Sequence, residues 1–138
     1  MNSAADTTDG GPPATPFRVM IVDDSAVIRG LETRILEADR DIKVISSVGD
    51  GSRAVKALEL DDSIEVVILD IEMPIMDGLT ALPKLIALRP DIKVIMSSTL
   101  TLQNADISLK ALSMGAADYI PKPSSMTGVS GSQDFRHD

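Results

Sequence analysis

Three aspartates have the residue type and the spacing for a shared metal site. Asp23 and Asp24 directly follow the apolar run Phe17–Val22, and Asp70 ends the apolar run Val66–Asp70. Carboxylates that share a poorly solvated pocket repel one another unless a proton or a cation neutralises them. Their oxygens suit a hard divalent cation, which needs neither thiolate nor imidazole ligands. If the two runs form neighbouring strands, the sequence predicts a Mg²⁺ site at their carboxyl ends.

Helix capping is the alternative role for an acidic residue that follows a strand. It fits Asp24 and the adjacent Ser25 well, because both residue types are favoured at helix N-caps. It does not fit Asp70, because Pro74 disfavours helical backbone in the residue before it and keeps a helix from beginning at once. The convergence of three carboxylates at one edge therefore favours a functional role.

Two more polar positions lie at the same predicted edge. Ser98, with Thr99 beside it, follows a later apolar run, and Lys122 follows the last one. A hydroxyl and an ammonium group that face carboxylates and Mg²⁺ form a site for a phosphoryl group, whose oxygens they bind and neutralise. A carboxylate can itself be the nucleophile and form an acyl phosphate, and Asp70 is the candidate. Ser98 is the first residue beyond its apolar run, and Thr99 is the alternative hydroxyl.

The elements that must position these residues alternate along the chain. Short apolar runs predict five strands, which are Phe17–Val22, Ile42–Val48, Val66–Asp70, Lys93–Ser97 and Asp118–Pro121. Apolar residues at helical spacing predict four helices between them, over Val27–Leu36, Ala54–Leu60, Gly78–Leu88 and Asn104–Met114. This alternation predicts a doubly wound α/β fold of the flavodoxin-like type, with a five-stranded parallel sheet in the order 2-1-3-4-5. In that order the first and third strands are neighbours, so the three aspartates would converge.

The flanks of this unit have a different composition. Residues 1–16 are mostly Ala, Thr, Asp, Gly and Pro without apolar periodicity, which predicts a flexible leader. Residues 126–138 contain several Ser and Gly and lack an apolar stripe, so we interpret them as a linker or the start of a truncated last helix. The predicted domain therefore spans residues 17–125, and the fifth helix expected to cover the sheet is missing or truncated.

Composition excludes several classes of site. The 138 residues include no cysteine and one histidine, His137, which excludes disulfides, thiolate chemistry and a histidine-based triad within this chain. A net charge of −8 without a basic cluster argues against nucleic acid as a partner. No apolar run approaches the ~20 residues of a transmembrane helix, and no signal peptide is recognisable. We therefore expect no membrane partner and a cytoplasmic location.

Four motifs together resemble the receiver domain of a two-component response regulator, over residues 17–125. They are the acidic pair Asp23-Asp24, the segment Asp70–Gly78, Ser98 after the fourth strand, and Tyr119-Ile120-Pro121-Lys122-Pro123. The resemblance implies that Asp70 accepts a phosphoryl group from a phosphohistidine on a sensor kinase. It also implies that Asp24, Asp70 and the backbone carbonyl of Glu72 hold Mg²⁺, with Asp23 acting through water.

The same resemblance implies a conformational switch. Lys122 would pair with phosphorylated Asp70, and the Lys122–Pro123 bond is expected to be cis. Ser98 would swing toward the phosphoryl oxygen and Tyr119 would move inward behind it, which couples a local change of charge to a surface. The chain would then be a stoichiometric phosphoacceptor with slow self-dephosphorylation rather than an enzyme.

Among receivers, the chain most resembles the regulatory domain of a chemotaxis protein-glutamate methylesterase. The segments that carry this resemblance are Ile71–Pro74, Leu82–Leu85, Ser97–Thr101 and Gly115–Tyr119. It implies a histidine kinase of the chemotaxis type as partner, and a C-terminal methylesterase domain outside these 138 residues. A stand-alone single-domain response regulator is the alternative, and a homodimer is left open.

A dinucleotide-binding oxidoreductase fragment is the competing interpretation. Gly49-Asp50-Gly51-Ser52-Arg53-Ala54 fits the G-x-G-x-x-A pattern between a strand and a helix, with Asp70 about twenty residues further on. The predicted strand order argues against it, because this turn follows an edge strand rather than the strand at the switch point. Asp70 cannot both bind a ribose and share a metal site with Asp23 and Asp24.

Overall fold

A computed structural model describes residues 15–123, and in this part of the chain five strands alternate with four helices. The strands are β1 (Phe17–Val22), β2 (Ile42–Val48), β3 (Val66–Asp70), β4 (Lys93–Ser98) and β5 (Asp118–Pro121). The helices are α1 (Ala26–Glu37), α2 (Gly51–Leu60), α3 (Gly78–Leu88) and α4 (Leu102–Ser113). All strand pairs are parallel and the order across the sheet is β2-β1-β3-β4-β5, which confirms the predicted doubly wound fold.

Two of the sequence predictions concern the flanks, and they fall almost entirely outside the described residues. The leader predicted over residues 1–16 is outside them apart from residues 15 and 16. The linker or truncated helix predicted over residues 126–138 is wholly outside them.

Side-chain caps precede all four helices, and for α3 the cap is Asp77. Ser25 caps α1, as the sequence indicates. Asp50 caps α2, which therefore begins before the predicted Ala54. Thr101 caps α4, which in the same way begins before the predicted Asn104. Of the helices between residues 15 and 123, none combines the length and the apolar character that a membrane span requires.

The pleat of the strands gives the sheet two different faces. One face packs against α2, α3 and α4 and is called the α2–α4 face; the other packs against α1 and is called the α1 face. Buried apolar strand residues on the α2–α4 face are Met20, Val22, Val67, Leu69, Val94 and Met96. Val19, Ile21 and Ile68 alternate with them and form a smaller cluster on the α1 face. Because side chains alternate along a strand, Asp70 and Ser97 also point to the α1 face, at its carboxyl edge.

Candidate functional site

The carboxyl ends of β1 and β3 bring three carboxylates together. The two strands are neighbours in the sheet, with Val22 opposite Leu69, so Asp23 follows the end of one strand and Asp70 ends the other. One side-chain oxygen from each of Asp23, Asp24 and Asp70 lies within 4.8 Å of the others. Asp23 and Asp70 are buried, whereas Asp24 is exposed. The structure thus juxtaposes the three aspartates that the sequence singled out.

Lys122 supplies positive charge to this group. Its Nζ lies 3.0 Å from Asp70 Oδ2 and 3.2 Å from Asp23 Oδ2. Its backbone N–H donates to the Ser98 carbonyl at 2.8 Å, which extends the pairing of β5 with β4. The expected cis Lys122–Pro123 bond is wrong, since residues 15–123 contain no cis peptide bond. With the backbone of Lys122 held in this way, a trans bond is compatible with an ammonium group at Asp70.

Two buried carboxylate oxygens at the centre of the site lie beside the Lys122 ammonium group. Asp23 Oδ1 accepts from the Ser25 N–H at 2.8 Å, and Asp70 Oδ1 accepts from the Glu72 N–H at 3.3 Å. The second oxygen of each aspartate lies at ion-pair distance from Lys122, yet within the described residues it accepts no hydrogen bond of suitable geometry. Lys122 supplies one positive charge against three carboxylates, so a divalent cation would neutralise the negative charge that remains. The donor set is all oxygen, which fits Mg²⁺.

Burial and charge shift the protonation of the site. Burial, followed by the charge of Asp23, raises the pKa of Asp70 to about 6, despite the adjacent Lys122 ammonium group. Burial alone would lower the pKa of Lys122, but its contacts with Asp70 and Asp23 outweigh this and raise that pKa. Lys122 is therefore charged at neutral pH, and Asp70 is an anion above about pH 6.

A fourth carboxyl, that of Glu32, faces the same region and was not predicted from the sequence. Glu32 is only 5% exposed, and its Oε2 accepts a hydrogen bond from the Ser97 hydroxyl at 3.3 Å. Burial, followed by the charge of Asp23, raises the pKa of Glu32 to about 7. The signal that could have revealed it is its spacing, because Glu32 lies one helical turn after Ile28 and one before Leu36, on the stripe that faces the sheet.

The two candidate hydroxyls differ in their environment. Ser98 is buried, and with Tyr119 it lines a cavity of about 80 Å³ between β4, α4 and β5. Thr99 is exposed. Its carbonyl and its hydroxyl both accept hydrogen bonds from the Asn104 side-chain amide, at 3.1 and 2.9 Å. Tyr119 is 44% exposed, so its ring has access to both solvent and the cavity.

Gly78 lets the loop between β3 and α3 close against the strand end. Its N–H donates to the Ile71 carbonyl at 2.9 Å, and a Cβ at this position would overlap the Asp70 carbonyl oxygen. Asp77 caps α3 directly before it. The loop carries Glu72, whose side chain is exposed and whose backbone N–H reaches Asp70. The structure therefore places the backbone of Glu72 at the site, while its side chain faces solvent.

Comparison with known families identifies the kind of domain that carries this site. The response regulator receiver domain family matches residues 19–130, which is most of the chain. This chain belongs to that family. The receiver has the fold and the strand order that the alternation of apolar runs predicts.

Curated relatives and solved structures extend the similarity. The receiver is 60% identical over 137 residues to protein-glutamate methylesterase/protein-glutamine glutaminase 1 of Rhodospirillum rubrum, covering 99% of this chain and 34% of that protein. It is similar to the crystallised response regulator domain of Thermotoga maritima CheB, with a TM-score of 0.73, 38% identity and coverage of 88% of this chain and 92% of that one.

A second similar structure is the CheX-CheY-BeF3-Mg²⁺ complex from Borrelia burgdorferi, with a TM-score of 0.71, 32% identity and coverage of 90% and 91%. The receiver spans about a third of the length of the curated relatives that it matches.

The alternative of a dinucleotide site is wrong for this receiver. The strand that precedes the segment Gly49–Ala54 is β2, at the edge of the sheet. The Gly51 N–H donates to the Met76 carbonyl at 3.1 Å, and a Cβ at Gly51 would lie 2.7 Å from that oxygen. The glycine therefore accommodates the loop between β3 and α3, where a dinucleotide fold would place a pyrophosphate. Asp70, the expected ribose ligand, is paired with Lys122 instead.

Proposed function

We propose that this receiver accepts a phosphoryl group on Asp70 from a phosphohistidine of a sensor kinase, in a Mg²⁺-dependent reaction. The observation that carries the proposal is the setting of Asp70. Its carboxylate is buried beside Asp23 and Asp24 and lies 3.0 Å from the Lys122 ammonium group. An anionic nucleophile, a fixed cation and a set of oxygen ligands are the parts that an acyl-phosphate site requires.

Asp24, Asp70 and the backbone carbonyl of Glu72 would hold Mg²⁺, and Asp23 would act through a water molecule. The support for this assignment is that one side-chain oxygen from each of Asp23, Asp24 and Asp70 lies within 4.8 Å of the others. When bound, Mg²⁺ neutralises negative charge on the oxygens of the transferred phosphoryl group. Asp24 is exposed, so the site is open to ions from solution.

Asp70 is the nucleophile of the proposed transfer. One of its carboxylate oxygens bonds to phosphorus as the N–P bond of the donor phosphohistidine breaks, and the donor imidazole nitrogen takes up a proton. Lys122 keeps its own proton, because its pKa is raised, and it neutralises the phosphorylated side chain. The donor belongs to a partner, which we propose to be a histidine kinase of the chemotaxis type.

Ser98 is the proposed switch hydroxyl, in preference to Thr99. Ser98 is buried at the end of β4, whereas the Thr99 hydroxyl is exposed and already bonded to Asn104. After phosphorylation, Ser98 would donate a hydrogen bond to a phosphoryl oxygen. Tyr119 would then move into the cavity that both residues line. This movement would change the surface formed by α4 and β5.

The receiver unit, proposed to span residues 17–125, would control a methylesterase domain in a longer chemotaxis protein. This proposal is supported by the 60% identity to a methylesterase of which the chain covers 34%. The receiver itself would be a stoichiometric phosphoacceptor with slow self-dephosphorylation, and it would work in the cytoplasm with its kinase.

Phosphorylation by a small-molecule donor tests the acceptor directly. With acetyl phosphate and Mg²⁺, we expect intact-mass spectrometry to show one added phosphoryl group, which a chelator prevents. Asp70→Asn removes the nucleophile and abolishes the label. Asp62→Asn, which removes the same charge at an exposed position before β3, leaves the label unchanged. Labelling of Asp70→Asn to the wild-type extent would overturn the proposal.

A further inference from the structure

We infer that Glu32 is a positioning residue for the Ser98 hydroxyl, acting through its hydrogen bond to Ser97. The inference rests on the proposed function, because it assigns Glu32 a part in phosphorylation of Asp70. Glu32 touches neither the acceptor nor the phosphoryl group in this scheme. It fixes the end of β4, and thereby the direction from which Ser98 approaches the site.

The hydrogen bond between Glu32 and Ser97 is buried, and it connects α1 to β4. Glu32 is 5% exposed and Ser97 is 1% exposed. Helix α1 packs mainly against β1 and β2, yet this side chain reaches β4, which lies beyond β3 in the sheet. A buried hydroxyl that loses its acceptor is destabilised and rearranges to find another.

Ser97 and Ser98 are also tied to the two segments that carry the acceptor and the lysine. Ser97 lies opposite Asp70 in the pairing of β3 with β4, and its carbonyl accepts from the Ile71 N–H at 3.0 Å. The Ser98 carbonyl accepts from the Lys122 N–H at 2.8 Å. These backbone bonds fix the chain, and the bond to Glu32 fixes the side chain that precedes Ser98. A change at Glu32 therefore reaches Ser98 through one peptide unit.

Packing alone does not account for a carboxyl at this position. Glu32 is on the stripe of α1 that faces the apolar residues of the α1 face. A leucine at this position would be buried without the free-energy cost of removing a carboxyl from water. The charged groups around it are Asp23, Asp70 and Lys122, and burial with the Asp23 charge raises the pKa of Glu32 to about 7. Burial of the Glu32 carboxyl therefore destabilises the fold, which favours a role for this residue in the site.

Four variants separate positioning by this hydrogen bond from other roles. Glu32→Gln keeps an acceptor for the Ser97 hydroxyl, whereas Glu32→Leu removes it. Ser97→Ala removes the donor, and the double variant Glu32→Leu with Ser97→Ala removes both. For each, the rate of labelling by acetyl phosphate is measured at saturating Mg²⁺, and the Mg²⁺ Kd is measured by calorimetry. Ser97→Ala deletes a single atom, so it tests the inference even where Glu32→Leu fails to fold.

We expect Glu32→Leu and Ser97→Ala each to slow labelling by roughly five- to tenfold, as for the loss of one positioned hydrogen bond. The double variant is no slower than either single variant, because both remove the same bond. Glu32→Gln restores a rate within about twofold of wild type, and all four variants keep the wild-type Mg²⁺ Kd. A purely structural role would not give this rescue together with an unchanged metal affinity.

The inference would be overturned by wild-type rates in Glu32→Leu and Ser97→Ala, by additive losses in the double variant, or by a Mg²⁺ Kd that weakens in step with the rate. A Glu32→Gln rate as low as that of Glu32→Leu would also overturn it, because charge would then matter rather than the hydrogen bond. Failure of the proposed function looks different, since wild-type protein would itself take up no phosphoryl group on Asp70.

Discussion

The two faces of the sheet differ in what they bury. On the α2–α4 face, side chains from three helices and three strands form one large apolar cluster. On the α1 face, the buried apolar cluster is small, and toward the carboxyl edge the buried residues are Asp23, Glu32, Asp70 and Ser97. The same strands supply both faces, so the pleat separates the apolar residues that stabilise the fold from the carboxylates of the site, while Ser98 lies on the side of the sheet that α4 covers.

This separation explains how a domain of this size tolerates a buried acidic site. Carboxyls taken out of water without full compensation cost free energy, and the raised pKa values of Asp70 and Glu32 express that cost. Apolar burial on the opposite face offsets it. Changes to the apolar cluster of the α2–α4 face should therefore alter stability and leave the carboxylates of the site intact, whereas changes of charge on the α1 face should alter the site.

The pH dependence of stability gives the largest expected effect, and it belongs to the α1 face. Between pH 5 and pH 8, Asp70 and Glu32 in the folded state hold protons that the unfolded chain has already lost, since burial raises their pKa values to about 6 and 7. Stability is therefore greatest at the acidic end and is lost as pH rises through these values. At about 1.4 kcal/mol per pKa unit, the loss is on the order of 3 to 4 kcal/mol.

Urea unfolding with a chelator present, at several pH values from 5 to 8, measures this loss. Glu32→Gln removes one of the two groups and should flatten the fall. Stability that is constant or that rises over this pH range would show that burial on the α1 face does not raise the pKa values of these carboxyls.

A core truncation gives the next largest effect, and it belongs to the α2–α4 face. Leu82 on α3 is fully buried in the large cluster, so Leu82→Ala removes apolar contacts and leaves a cavity. We expect the free energy of unfolding to fall by about 3 kcal/mol, while the folded variant labels with acetyl phosphate at the wild-type rate. Urea unfolding and the labelling assay check the two parts. A labelling rate that falls together with the free energy of unfolding would contradict the claim that the α2–α4 cluster affects stability without affecting the site.

The smallest expected effect concerns the loop between β3 and α3. Ile75 has a φ of 69° and is 84% exposed, and the Met76 N–H donates across it to the Pro74 carbonyl at 2.7 Å. A β-branched residue is strained at positive φ, whereas asparagine tolerates it. Ile75→Asn should therefore raise the free energy of unfolding by about 1 kcal/mol.

Ile75→Val serves as the matched control, because it keeps the branched side chain and the strain. Thermal unfolding of the two variants measures the difference. Equal melting temperatures for both would mean that the loop stores no strain at this residue.

The strands, their order and the convergence of the aspartates could be predicted because each depends on a local signal. A strand buried on both faces is a short apolar run, and residues at the ends of adjacent parallel strands meet at one edge. Asp23 and Asp70 are found in this way. The early start of α2 is not predicted, because Asp50 lies in a Gly-Asp-Gly segment that is typical of a turn, whereas its carboxylate caps the helix.

Glu32 could not be predicted with the same ease, because tertiary packing decides which side of α1 faces the sheet. Val27 and Ile35 are apolar but are 58% and 60% exposed, while the charged Glu32 between them is buried. Periodicity places Glu32 on the stripe of Ile28, but residue type alone favours solvent. The positive φ of Ile75 has no sequence signal either, since that conformation is usually marked by glycine or asparagine.

Calorimetric titration with Mg²⁺ tests most directly whether Asp23, Asp24 and Asp70 share one pocket. At neutral pH we predict that wild-type protein binds one ion, that Asp24→Asn and Asp70→Asn each weaken the Kd by about tenfold or more, and that the exposed Asp62→Asn leaves it unchanged. The same Kd in all four proteins, or no uptake of Mg²⁺ by the wild type, would contradict a common site at the carboxyl ends of β1 and β3.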